Sequence, residues 1–295
     1  MIKGAKINNN IELAKIKNKF KIDFASRPRV KDIKRLDALF YGGKGVGKTL
    51  TAINNPLKIL AISYDKLTQP VVNQLSRIEP DIENRVLVYD VDYLDDPEIS
   101  TEYSFMQYDY LKYILESDEV KAFKPEIILH DRADILNKIC EGRMRYNHQL
   151  PSIGPVDYSL WKERTAYLNY IMKISANVAP LGTFSTVYYD SYNEVEFKDK
   201  DGNIIEKKEP KYFEYIDDMV LFTIEVEQVV VKEKSRTINR ATIQSSKDDS
   251  LFKTGQVKDV SNYKPLITKE MISNYFGNKV PPETQEVSQV SSDFV

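Results

Sequence analysis

Cysteine and histidine are almost absent from this sequence: its 295 residues include one Cys, Cys140, and two His, His130 and His148. A lone cysteine forms no internal disulfide and no Cys-based zinc site, and two histidines are too few to suggest a transition-metal enzyme. An excess of either charge is missing too. With 42 Lys or Arg against 44 Asp or Glu the net charge is −2, so bulk charge does not drive the whole molecule onto nucleic acid. No apolar run approaches the roughly 18 residues of a membrane helix, and the opening MIKGAKINNNIELAKIK lacks the apolar core of a signal peptide. The expectation is a cytoplasmic protein with no membrane partner.

What is present suits a globular chain, since 42% hydrophobic and 29% charged residues can build one large α/β domain with appendages. Charge is unevenly spread: residues 1–36 hold eleven Lys or Arg against Glu12, Asp23 and Asp32. That basic stretch, broken by Asn8, Asn9, Asn10 and Pro28, reads as an arm or small extension able to attract an anion. From Asp37 onward, apolar runs at 38–41, 57–63, 85–91, 126–130 and 183–189 alternate with segments at 67–78, 104–115, 133–145 and 160–176, whose apolar spacing of three and four predicts amphipathic helices. The fold class is therefore α/β, a mainly parallel sheet flanked by helices on both faces. Segments 219–231 and 236–245, rich in Val, Ile, Phe and Thr, extend the sheet as a β-rich C-terminal addition. Two alternating runs around Asp201-Gly202 predict a hairpin, and 269–276 a short closing helix. The domain spans 37–278, and 279–295, with paired prolines and many Ser, Gln and Glu, reads as a flexible tail.

The segment Gly42-Gly43-Lys44-Gly45-Val46-Gly47-Lys48-Thr49 satisfies G-x-x-x-x-G-K-[ST] between an apolar run and a helix-compatible one. Glycines let the backbone wrap phosphates with its N–H groups pointing inward, and the following helix adds the positive end of its dipole. Lys48 then neutralises the β- and γ-phosphates of ATP or GTP, and the Thr49 hydroxyl ligates Mg²⁺. The apolar run 126–130 ends in Asp131, in the position of a Walker B carboxylate that holds the ion through water; the structural alternative is that Asp131 caps the helix starting near Ala133. Asp65, at the end of ILAISYD, is the candidate for orienting the attacking water, or else a turn residue before Lys66. His130 reads as a packed strand residue facing away from the nucleotide.

This order of features resembles the RecA-superfamily ATPases, and in particular the phage and archaeal-virus RecA-like nucleotide-binding proteins of single-strand annealing and recombination, described as AAA-domain proteins. The likeness covers roughly 37–267, its most specific elements being the P-loop and IILHD. It implies an ATP- and Mg²⁺-dependent ATPase acting on single-stranded DNA as a homo-oligomer, ring or filament, in recombination, annealing or replication. The family's second strand ends in Asp-Thr-Glu where this chain has Ser63-Tyr64-Asp65, so the catalytic acid is one methylene shorter or absent, which implies slow turnover. Tyr188-Tyr189-Asp190 stands where the family carries a polar sensor, and Lys247 where a basic residue could reach a neighbouring subunit's γ-phosphate. In such proteins the loops after the fourth and fifth strands face DNA. Here they offer Arg143, Arg145 and Tyr146 in the first, and Lys207 and Lys208 in the second, amid Glu and Asp that dilute its charge. The ending Asp293-Phe294-Val295 places an acid beside an aromatic, like the tips through which single-strand-binding proteins recruit partners, and such a protein is a further candidate partner. Competing readings are a genome-packaging or helicase motor, a P-loop kinase, for which no arginine-rich lid is evident, and a non-catalytic scaffold that holds nucleotide structurally.

Overall fold

The computed structural model describes residues 34–91, 101–198, 204–210, 219–231 and 236–277. The tail expected over 279–295 lies outside the described residues, as do the Asp201-Gly202 turn and all but the last three residues of the basic arm. The chain divides between Lys34 and Arg35 into two units, and the second, Arg35–Val295, carries every element described below.

Strand β1 (Ala38–Tyr41) runs into the P-loop and helix α1 (Lys48–Ile53). There follow β2 (Ile59–Ser63), α2 (Thr68–Ser76), α3 (Ile82–Arg85), β3 (Val86–Asp90), α4 (Thr101–Glu116), α5 (Asp118–Phe123), β4 (Ile127–Asp131) and α6 (Ala133–Asn147). Helix α7 (Trp161–Val178) leads to β5 (Gly182–Val187), then to β6 (Tyr189–Lys198), β7 (Ile204–Pro210), β8 (Phe222–Val231), β9 (Arg236–Ser246), β10 (Val257–Asp259) and α8 (Lys269–Phe276). The main sheet has the order β10-β9-β8-β1-β5-β4-β2-β3. The pairings of β3, β2, β4, β5, β1 and β8 are all parallel, and β9 runs antiparallel to both β8 and β10. This is the expected fold class: α/β, a mainly parallel sheet between helices, with a β-rich C-terminal extension.

Every residue of β1, β2, β4 and β5 is buried. Strand alternation therefore feeds two cores rather than a core and a wet face. On one side Ile59, Ala61, Ile127, Leu129 and Phe184 pack with α1, α2 and α8 through Ile53, Val72, Leu75 and Ile272. On the other, Leu60, Ile62 and Ile128 pack with α4, α6 and α7 through Leu111, Ile139, Leu168 and Ile171. Strands β8 and β9 are integral to the first core, which holds Phe222, Ile224, Val226, Ala241 and Ile243.

One boundary differs from expectation. The fifth strand was expected to run to residue 189, but β5 ends at Val187 and Tyr188 belongs to no strand. There the chain leaves the main sheet, and β6 pairs with β7 in a separate two-stranded sheet. Tyr188 is thereby set at the carboxyl edge of the parallel strands, where α/β proteins assemble their ligand sites.

Candidate functional site

Parallel register brings the site together. Ser63 on β2, Asp131 on β4 and Thr186 on β5 are neighbours across three adjacent strands. The P-loop leaves the end of β1 beside them. Gly42 passes so close to β8 that a Cβ there would lie 2.1 Å from the Val226 carbonyl oxygen, so only glycine fits. Gly47, at φ 92, turns the chain into α1 through backbone conformation that side chains resist. Lys48 Nζ donates to the Gly43 carbonyl at 2.7 Å and the Gly42 carbonyl at 3.1 Å, and lies 4.2 Å from the centre of the Tyr188 ring. Burial lowers its pKa to about 8; the neighbouring Arg132 charge pushes the same way, while Asp131, Asp134 and Asp65 oppose it.

Asp131 is 2% exposed and gathers three hydroxyls. Thr49 Oγ1 donates to its carboxylate, 2.9 and 3.0 Å from the two oxygens, Thr68 Oγ1 from the start of α2 donates at 2.7 Å, and Thr186 Oγ1 at 2.5 Å. The pairing of Thr49 with Asp131 is an all-oxygen donor set of the kind Mg²⁺ takes alongside phosphates and water. The P-loop glycines and Lys48 beside it suit a nucleoside triphosphate, so the residues present fit the expected cofactors. Thr68 and Thr186 were not singled out from the sequence. Their role depends on register and helix placement, and the available signal was only that each is a threonine near a strand end.

Asp65 lies in the same cluster. Its Oδ1 accepts the Leu67 N–H at 3.1 Å, and its Oδ2 is 3.7 Å from Arg132 Nη1. Burial raises its pKa and the Asp131 charge adds to the effect. Arg132, also missed, has φ 75 and heads α6. Its guanidinium grips Asp134 through Nε at 2.9 Å and Nη2 at 2.8 Å and lies 4.0 Å from the Tyr188 ring centre.

Behind Asp131, His130 points into the opposite core, fully buried, and burial lowers its pKa to about 4. Its Nδ1 is 2.9 Å from the Tyr64 hydroxyl and its Nε2 2.9 Å from Ser175 Oγ, which donates to the Ile171 carbonyl. Because the Ser175 proton is committed to that carbonyl, Ser175 accepts from Nε2–H, and Nδ1 accepts from Tyr64. A directed chain thus runs from β2 through β4 into α7.

The remaining candidates are dispersed. Lys247 follows β9 at the end where Ser246 pairs with Phe222 and Phe222 with Ala38, the edge opposite the P-loop, so it does not join its own subunit's site. Arg143 bonds Asp109 at 2.8 Å and stacks against Phe105 and Tyr108. Arg145 holds Glu141 and the carbonyls of Pro151 and Gly154, so both guanidinium groups are engaged internally. Tyr146 packs on Phe105 and is 37% exposed. Lys207 and Lys208 lie on β7. Among the described residues no helix is long and apolar enough to cross a membrane.

Fold and site together define a P-loop α/β protein. No protein-family model matches the chain, and no curated protein matches it. Among solved structures it is similar to a KaiC-like protein from the hyperthermophilic archaeon Pyrococcus horikoshii, with 10% identity over 76% of this chain and 84% of that one and a TM-score of 0.43. A likeness of that size concerns the fold alone and carries no argument about the site.

Proposed function

We propose that the chain is a RecA-like P-loop ATPase that binds ATP with Mg²⁺ and whose nucleotide state sets its hold on single-stranded DNA, as a homo-oligomer in recombination, annealing or replication. The observation that carries the nucleotide half is the Thr49–Asp131 contact, between residues 82 apart in sequence, next to the Lys48 ammonium. Lys48 exchanges its two carbonyl partners for phosphate oxygens, and the glycine backbone donates its N–H groups. Thr49 directly and Asp131 through water would hold Mg²⁺, which would supply positive charge against the β- and γ-phosphates. Asp65 orients the attacking water. Its short side chain favours slow turnover.

The DNA half rests on the family resemblance and on surface chemistry. Tyr110, Tyr113, Tyr158 and Tyr170 expose their rings, and Lys112 Nζ lies 5.7 Å from the Tyr170 ring centre. Exposed aromatics beside lysines suit stacked bases and backbone phosphates.

The test is ATP turnover with and without single-stranded DNA for the wild type, Lys48→Ala and Asp65→Ala. Lys48→Ala is expected to lower turnover by roughly 100-fold or more, as removal of a charge-stabilising donor does, and Asp65→Ala to abolish any stimulation by DNA. Wild-type protein that binds ATP without turning it over would be a scaffold instead. Equal DNA affinity with ATP and ADP would remove the DNA half of the reading.

A further inference from the structure

We propose that Arg132 binds the γ-phosphate in cis, making it the residue by which this chain distinguishes ATP from ADP; the inference rests on the nucleotide site proposed above. The residue directly follows Asp131 and adopts left-handed backbone, φ 75 and ψ 58, a conformation that glycine or asparagine takes far more readily than arginine. Strained backbone of this kind persists where the surroundings over-determine it, and it concentrates at ligand clamps. Here the Arg132 N–H donates to Thr186 Oγ1 at 2.9 Å, and the same hydroxyl donates to Asp131. One threonine therefore fixes both the metal-side carboxylate and the backbone that aims the guanidinium.

The side chain is aimed at the site. Its guanidinium carbon and Lys48 Nζ lie 4.0 and 4.2 Å from the centre of one ring, that of Tyr188. Both cations thus pack on one aromatic ring, near enough for the Arg132 charge to lower the Lys48 pKa, with Asp65, Asp131 and Asp134 around them. Like charges held this near are stabilised by an anion that both can reach, and the terminal phosphate is the anion that Lys48 already addresses. Nε and Nη2 are occupied by Asp134, which leaves the Nη1 end 3.7 Å from Asp65, beyond hydrogen-bond distance. That end is held in orientation by a bidentate grip and a stacked ring without a short bond to Asp65. It can therefore take a phosphate oxygen without breaking the Asp134 pair. A phosphate oxygen on Nη1 also neutralises the charge that faces Asp65, so triphosphate binding and release of the candidate acid are one event.

The purely structural reading is that Arg132 serves only to neutralise Asp134, whose side chain is 3% exposed. Two variants separate the readings. Asp134→Asn removes the buried carboxylate and keeps Arg132. Arg132→Gly combined with Asp134→Asn removes the guanidinium, suits the left-handed backbone and strands no buried charge, so it is expected to fold. Dissociation constants for a non-hydrolysable ATP analogue and for ADP, each with Mg²⁺, are measured by calorimetry on the full chain. The expected result is that Asp134→Asn, which loosens the bidentate grip but keeps the guanidinium, retains a clear preference for the triphosphate, while the double variant loses at least tenfold more of it with ADP affinity unchanged. A double variant that retains the preference, or that loses both ligands alike, overturns the assignment. Wild-type protein that binds neither nucleotide overturns the site itself, whereas one that binds both without preference overturns only the role of Arg132.

Discussion

Burial lowers the Lys48 ammonium to about 8, yet its function is to meet phosphates as a cation. Phosphate charge favours the protonated form, so nucleotide raises this pKa. Affinity is therefore expected to be flat below about pH 8, where Lys48 is protonated with or without nucleotide, and to fall above it by up to about tenfold per pH unit. Calorimetry at pH 8.5 in buffers of different ionisation enthalpy should register proton uptake on binding. Affinity unchanged to pH 9.5 would show that Lys48 does not titrate in the free site. The motif residues of this cluster were legible from the string alone, because a P-loop is a local arrangement in which each glycine answers a local backbone demand. Arg132, Thr68 and Thr186 were not. Their meaning arises from contacts with residues on other strands and helices, and no spacing along the chain encodes those.

At the scale of elements, the chain Tyr64–His130–Ser175 ties the ends of β2 and β4 to α7 on the far side of the sheet from Asp131. Its central imidazole, lowered from 6.5 to about 4, stays neutral in the folded protein. The unfolded chain takes up that proton first. The stability His130 confers is thus fully present above about pH 6.5, declines as pH falls, and levels off below about 4. Between pH 7 and pH 5 the loss attributable to this residue should be about 2 kcal/mol. His130→Gln should remove that part of the pH dependence in urea denaturation, and a variant as pH-sensitive as the wild type would count against the buried neutral imidazole. Of the elements themselves, the amphipathic helices and buried strands were visible as periodicity. The break at Tyr188 was not, because TFSTVYYD is uniformly strand-like and only the departure of β6 into its own sheet interrupts it.

Over the whole molecule, the C-terminal strands complete the core. Strand β8 pairs in parallel with β1, the strand that presents the P-loop, and Phe222 is fully buried with its ring edge-on to Phe252 at 5.3 Å. Phe222→Ala should therefore cost about 3–5 kcal/mol, measured by denaturant unfolding. Because the Val226 carbonyl abuts Gly42 on the same strand, nucleotide affinity should weaken as well. A variant with wild-type stability would mean that β8 is an accessory edge.

The sequence by itself determined the α/β class, the mainly parallel sheet implied by alternating buried runs and helical patterns, the phosphate loop, and the acid at the end of the fourth run. Each is a local property of composition or spacing. Only the tertiary structure decided that three threonines from α1, α2 and β5 converge on Asp131, that Arg132 and Lys48 share the Tyr188 ring, and that Arg143 and Arg145 are engaged inside the protein. Strand register and helix packing set these distances, and they depend on which distant segments lie side by side.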